Sequence, residues 1–115
     1  MQLESFLEDI VNNTPGALAC LVVDTNGLTI AEYHRLNPSD PGLLAAEYSR
    51  ICSDVSSLMN QLNLGKLSEC SFSTEKLSIH ISLVNPYFIM LITLQETSRG
   101  QALFKLRNLG KQLPL

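Results

Sequence analysis

The chain has 115 residues, of which 45% are hydrophobic and 17% are charged, and its net charge is −3. This length suits one domain with a single core. The negative net charge argues against a nucleic-acid-binding surface, which needs a positive field to displace counterions. Three cysteines without a Cys-x-x-Cys spacing indicate a reducing compartment, and no segment is apolar enough to span a membrane. We therefore expect a cytoplasmic protein with no nucleic-acid partner and no membrane insertion.

The N-terminal part of the chain predicts a helix followed by a buried hairpin. Apolar residues recur at helical spacing over residues 2–12, which indicates a short amphipathic helix. Residues 17–23 are apolar at nearly every position, so we predict a strand covered on both faces at the centre of a sheet. Residues 24–27 supply the tight turn, and the second strand, 28–33, lies nearer an edge because it carries Glu32.

A long helix is predicted over residues 42–63, with Gly65 as its C-terminal stop. Its large apolar residues recur at spacings of three and four, which predicts that they pack on the sheet. These residues are Leu44, Tyr48, Ile51, Val55, Leu58 and Leu62. We expect a second stripe, made mostly of small residues, to let another helix approach closely. The small-residue stripe comprises Ala45, Ser49, Cys52, Ser56 and Met59.

The remaining face of this helix is polar. Its charged and amide residues are Glu47, Arg50, Asp54 and Gln61, and between them lie Ser53, Ser57 and Asn60. We expect Arg50 to pair with Asp54 one turn away. Serine is a weak helix former, so a row of serines on a surface helix favours a contact role. From the spacing alone, a merely solvated face is an equal alternative.

Three strands and a helix complete the chain. Residues 67–73 are polar on one face, residues 77–84 alternate cleanly, and residues 87–94 are apolar on both faces. A capping box that begins at Ser98 then predicts a short C-terminal helix.

These elements predict a fold as well as an order. The order is α-β-β-α-β-β-β-α, and the first and last strands should be neighbours at the sheet centre because both are buried on two faces. The result is an α+β sandwich in which helices cover both faces of a five-stranded antiparallel sheet of order 2-1-5-4-3. We expect one domain over residues 1–115, with the polar strand 67–73 at a sheet edge that must be covered.

The Gly65-Lys66 pair does not form a phosphate-binding loop. Asn60 stands where the motif needs its first glycine, and Leu67 replaces the Ser or Thr that would hold magnesium. We expect neither a cofactor nor a metal.

The two histidines give no catalytic pattern either. His34 follows a strand and is expected to be solvated. Ser78, His80 and Ser82 share a strand face, but residues two apart on a strand lie too far apart for a good hydrogen bond. A half-buried polar face is the interpretation we favour, and we expect no enzymatic activity and no catalytic residue.

Three segments together carry a family resemblance. They are the hairpin at residues 17–31, the helix segment at 47–51, and residues 73–77 with the apolar strands that follow. In this order they resemble the Roadblock domain family, and within it the MglB-like group, over about the whole chain. The chain ends at Leu115 without the further C-terminal segment that many members of that group carry, so no role is assigned to such a segment.

The resemblance implies a homodimer in which edge strands pair into one continuous sheet and the two long helices pack together. The implied interface residues are Ala45, Ser49, Cys52, Ser56, Met59, Glu69 and Ser71. They join the small-residue stripe to the polar edge strand.

The resemblance also implies a function for the helix-bearing face of the dimer. That face would bind one small Ras-like GTPase of the MglA type and stimulate GTP hydrolysis by repositioning the GTPase's own residues, without an arginine finger. The expected contacts are Arg50, Ser53, Asp54, Ser57 and Asn60. Arg35, on a more mobile loop, has no support from the resemblance. The alternative is a dimeric adaptor in a larger assembly, with no effect on GTP turnover.

Overall fold

The computed structural model describes residues 2–35, 41–84, 86–95 and 99–112. The elements are α1 (Gln2–Asn12), β1 (Ala17–Asp24), β2 (Thr29–His34), α2 (Pro41–Gln61), β3 (Glu69–Ser73), β4 (Leu77–Val84), β5 (Tyr87–Leu94) and α3 (Arg99–Gln112). The predicted element order is therefore confirmed. Ser98, at which the predicted capping box begins, lies outside the described residues.

The five strands form one antiparallel sheet of order β2-β1-β5-β4-β3, as predicted. β1 and β5 lie side by side near its centre, and their middle residues are almost fully buried. Both strands are apolar on two faces because helices cover the sheet from two sides. α1 and α3 pack on one face, where their contacts include Leu7, Leu106 and Ile89, and α2 packs on the other, against Leu21 and its neighbours.

The polar face of β4 is more deeply buried than predicted. Ser78, His80 and Ser82 point towards α3, which packs against β4, and His80 is only 2% exposed. The opposite side of β4 carries Ile79 and Ile81 into the core beneath α2. The expectation of a half-buried polar face is therefore wrong: α3 covers this face of β4. A single sequence does not reveal that the last helix packs on this strand.

The sides of α2 differ from the prediction. Ala45, Ser49 and Cys52 are buried, and Ala45 and Cys52 pack in the core formed with the sheet. The large residues lie to one side of this contact, and Leu58 remains 48% exposed. The physical reason is space: the sheet already presents large side chains beneath α2, so the line of closest approach on the helix must be small.

The turn between β1 and β2 contacts α2 at a glycine. Gly27 has a φ of +83°, and a Cβ built there would lie 3.2 Å from the Cα of Ala46. The carboxylate of Asp24 accepts hydrogen bonds from the backbone N–H groups of Asn26 and Leu28 and so fixes the turn.

Within the described ranges, no helix is both long and apolar enough to cross a membrane.

Candidate interaction surfaces

The predicted GTPase-contact residues lie together on the exposed side of α2. Arg50, Ser53, Asp54, Ser57 and Asn60 are all exposed, in contrast to the sheet-facing side of the same helix. The structure thus groups them into one continuous surface, which we call the polar face. Their role as contacts stays a prediction.

The ion pair on this face differs from the expected one. Arg50 donates a hydrogen bond to the carboxylate of Glu47, one turn before it, instead of to Asp54. Glu47 raises the pKa of the Arg50 guanidinium, first through this hydrogen bond and then through its charge, and Asp54 contributes least. Because both groups are exposed, the pair adds little to stability but holds the Arg50 side chain against the helix.

A second side of α2 is apolar and incompletely covered. It is formed by Leu44, Ile51, Val55 and Leu58 of the helix together with Leu62 just after its end, and we call these residues the apolar flank. The first three are half-buried, while Leu58 and Leu62 are 48% and 56% exposed. Leucines left this exposed in a row mark a surface that favours a contact.

The direction of the apolar flank follows from two contacts of α2. The ring of Tyr48 packs against that of Phe72 on β3, with centroids 5.1 Å apart. Ala46 lies about 160° further round the helix and faces Gly27, at the opposite end of the sheet order. The apolar flank continues beyond Tyr48 on the β3 side, so it lies next to the sheet edge formed by β3.

The outer edge of β3 has free backbone groups within the described chain. Ser68 accepts a hydrogen bond from the N–H of Leu83, and Thr74 donates one to the carbonyl of Leu77. Antiparallel pairs alternate between bonded and non-bonded positions, so Cys70 and Phe72 bond to β4 as well. The N–H and C=O groups of the residues between them, Glu69, Ser71 and Ser73, therefore point away from β4. No described strand pairs with this edge.

Side chains fix β3 firmly to its own subunit. The hydroxyl of Ser71 lies 3.1 Å from Nδ1 of His80. Glu69 accepts two hydrogen bonds from Arg107 of α3, one of them 2.8 Å long, and this contact lowers the pKa of the Glu69 carboxyl. On the other side of the strand, Cys70 packs in the same core as Cys52. The open edge is thus held in a defined position.

The predicted interface residues fall into two groups. Ala45, Ser49 and Cys52 are covered by their own sheet, so they cannot supply a contact with another subunit, and that part of the prediction is corrected. Burial also raises the pKa of the Cys52 thiol to about 12. The other four residues are half-buried at positions that a partner can reach; they are Ser56, Met59, Glu69 and Ser71.

The apolar flank was missed as an interface because its residues were assigned to the sheet. One signal in the sequence points to it, because the stripe as a whole contains more large side chains than one helix–sheet contact accommodates. The structure adds that α2 ends at Gln61, so Leu62 lies beyond the helix that was predicted to extend to residue 63.

The two histidines are less exposed than predicted. His34 ends β2 with a side chain that is 11% exposed, and its Nε2 lies 3.2 Å from Glu32, so the prediction of a solvated histidine is wrong. The ring of His80 meets Ser71, a contact with the neighbouring strand that sequence spacing did not reveal. At 2% exposure, however, His80 is out of reach of a substrate. Groups of three or more metal-ligating side chains do not occur in the described segments.

Arg35 is held in place instead of mobile. Its guanidinium donates hydrogen bonds to the carbonyl of Val11, at 2.8 Å, and to the side chain of Asn12. These are acceptors at the C-terminal end of α1, where a positive charge is favourable. Arg35 therefore caps a helix of its own subunit.

Comparison with known proteins identifies the family. The model of the Roadblock/LC7 domain matches residues 5–94. The chain belongs to the Roadblock/LC7 family. No curated protein is significantly similar to it in sequence.

Solved structures share the fold of this Roadblock domain. A Roadblock/LC7 domain from Streptomyces avermitilis superposes with a TM-score of 0.88 at 15% identity, over 96% of this chain and 93% of that one. Myxococcus xanthus MglB gives 0.88 at 16% identity, over 98% and 92% of the two chains. MglC from Myxococcus xanthus gives 0.67 at 28% identity, over 97% and 96%. Identities as low as those of the first two establish the fold alone.

Proposed function

We propose that this Roadblock domain is a non-catalytic, homodimeric, cytoplasmic regulator of a small Ras-like GTPase, of the activating type and similar to the MglB-like group. The observation that carries the proposal is the arrangement of α2. Its polar face is exposed, and its apolar flank lies beside the open edge of β3. The fold shared with MglB supports the choice of partner class.

The homodimer is supported by two unsatisfied surfaces on the same side of the subunit. The outer edge of β3 offers backbone groups that a second β3 strand would satisfy. The apolar flank of α2 would then meet its copy above the joined sheet and bury the exposed parts of Leu58 and Leu62. An isologous contact of this kind forms a closed dimer.

The GTPase would bind across the two polar faces of this dimer. Pairing through the apolar flanks leaves Arg50, Ser53, Asp54, Ser57 and Asn60 of both subunits exposed around one two-fold axis. A single asymmetric partner that lies over the axis blocks a second one, so we expect one GTPase per dimer. Arg50 is held by Glu47 on a regular helix, which suits a binding contact better than an inserted finger.

The test is single-turnover GTP hydrolysis by an MglA-type GTPase from the same organism, with and without the purified chain. We expect faster hydrolysis, and a complex of two copies of this chain with one GTPase by light scattering. The disrupting variant is Asp54→Arg, which reverses one charge on the exposed polar face and should weaken both the binding and the faster hydrolysis without unfolding the domain. Tight binding without faster hydrolysis would establish the adaptor function instead, and no binding to any such GTPase would refute the proposal.

A further inference from the structure

A cavity of about 470 Å³ opens beside the C-terminal half of α2. One wall is the helix, at Ser56 and Asn60, and a second is the segment that leads into β3, at residues 66–68. The third wall is the end of the β4–β5 hairpin, which contributes Leu83 and Pro86. This volume lies within the range of roughly 300–1,000 Å³ that is common for small-ligand sites.

Four polar side chains that line the cavity have no partner among the described residues. Besides Tyr87, which packs with the core on the α1 and α3 side, the polar lining residues are Ser56, Asn60, Lys66 and Ser68. None of these four side chains forms a hydrogen bond or ion pair with another described residue. Among the described residues that line the cavity, Lys66 is the sole charged one. Three neutral groups able to donate hydrogen bonds and one ammonium therefore face the same space.

We propose that this cavity binds a carboxylate carried on an apolar body. A single ammonium balances a single negative charge, which favours a monoanion over a doubly charged phosphate. The hydroxyl and amide donors can satisfy the remaining lone pairs of a carboxylate. Leu67, Leu83 and Pro86 supply an apolar wall for the rest of the ligand.

The cavity borders the surfaces of the proposed function. Asn60 belongs to the polar face, so a GTPase bound there would cover one wall of the cavity, and residues 66–68 lead into the strand that would pair in the dimer. Ligand binding is therefore measured on the chain without a GTPase. The proposal rests on the cavity and on Lys66, so failure of ligand binding would leave the proposed function standing, and the reverse is also true.

The experiment is a titration of the full chain, followed by ¹⁵N–¹H NMR, with hexanoate and with hexanol as its uncharged counterpart. We expect hexanoate to shift the amide signals of Lys66, Leu67 and Ser68 with a dissociation constant on the order of millimolar, as befits so small a ligand. Lys66→Gln should weaken this binding about tenfold or more, because it removes the charge but keeps most of the stem. Lys105→Gln, on α3 at the other side of the sheet, is the matched control and should change nothing.

Two further ligands separate the sources of such a carboxylate. They are a hexapeptide that ends in a free leucine carboxylate and the same peptide with an amidated end. Tighter binding of the free-acid peptide than of hexanoate would assign the site to a polypeptide terminus, and the reverse order would assign it to a small molecule. Equal shifts with hexanol, or unchanged hexanoate binding in Lys66→Gln, would overturn the proposal.

Discussion

Replacing Ser71 with cysteine tests the proposed dimer at one defined point. Glu69, Ser71 and Ser73 are the residues of β3 whose backbone groups point outward, so they would form the hydrogen-bonded pairs with a partner strand. The two-fold axis then passes either at one of them or at a non-bonded position, Cys70 or Phe72. An axis through Glu69 would place two carboxylates directly opposite each other, which is unfavourable. An axis through Ser71 uses the whole strand and places Glu69 opposite Ser73 of the partner subunit.

The distances that follow from this register differ sharply between neighbouring positions. At the axis, Ser71 forms a hydrogen-bonded pair with its own copy, in which the two Cα atoms are about 5.5 Å apart. A disulfide spans Cα distances of roughly 4.4–6.8 Å, so Ser71→Cys fits. The two copies of Ser73 lie four residues apart along the strand direction, about 13 Å, which no disulfide spans. Ser73→Cys is therefore the matched control.

The assay is non-reducing electrophoresis after exposure to oxidised glutathione. Both variants also carry Cys70→Ala, which removes the native thiol next to the new one, whereas Cys20 and Cys52 are buried. We expect most of the Ser71→Cys chain to migrate as a cross-linked dimer and the Ser73→Cys chain to stay at background. The loss of the contact between Ser71 and His80 costs about 1 kcal/mol of stability and leaves the fold in place.

Three outcomes would refute this reasoning. Equal cross-linking at positions 71 and 73 would mean random collision, and stronger cross-linking at position 73 would place the axis elsewhere. Light scattering that reports a monomer for the unchanged protein at tens of micromolar would remove the dimer itself.

The remaining predictions concern α2 and the turn that touches it. Leu58→Asp should weaken the dimer about thirtyfold or more, as measured by sedimentation, because covering the exposed half of each leucine contributes about 1 kcal/mol per subunit. Phe104→Asp, at an exposed position of α3, is the control and should leave the dimer unchanged. Arg50→Ala should weaken GTPase binding but leave the maximal single-turnover rate of GTP hydrolysis within a few-fold when this chain is saturating. A fall to the intrinsic rate of the GTPase, with binding intact, would show that Arg50 acts as an arginine finger. Gly27→Ala should lower the free energy of unfolding by more than Gly65→Ala in urea titrations, since both glycines have positive φ but only Gly27 lies against Ala46; equal losses would exclude the helix contact.

The fold was largely predictable because its signals are local. Residues 17–23 and 87–94 are apolar on two faces, and this pattern alone places two strands at the sheet centre. Gly65 and the residues of the β1–β2 turn mark ends of elements through their backbone preferences. These signals need no knowledge of distant parts of the chain, which is why element order and strand order both followed from them.

The packing of α2 was not predictable in the same way. Periodicity shows that a helix has an apolar stripe, but it does not show which of two adjacent stripes lies nearest the sheet. That choice depends on the size of the side chains opposite, here Leu21, Phe88 and Met90, and these become neighbours only in the folded chain. The burial of His80 beneath α3 escaped the sequence for the same reason.

The corrected packing of α2 also bears on mechanism. Its small residues hold the helix to the sheet. In the proposed function, its apolar flank would contact a second subunit and its polar face would contact the GTPase. Arg50 would have to break its hydrogen bond to Glu47 and leave a regular helix in order to enter a nucleotide site. A rigid face of this kind can raise affinity and hold a GTPase in one conformation, but it brings no new charge to the reacting phosphate. Any acceleration must therefore arise from groups of the GTPase itself, held where they stabilise the transition state.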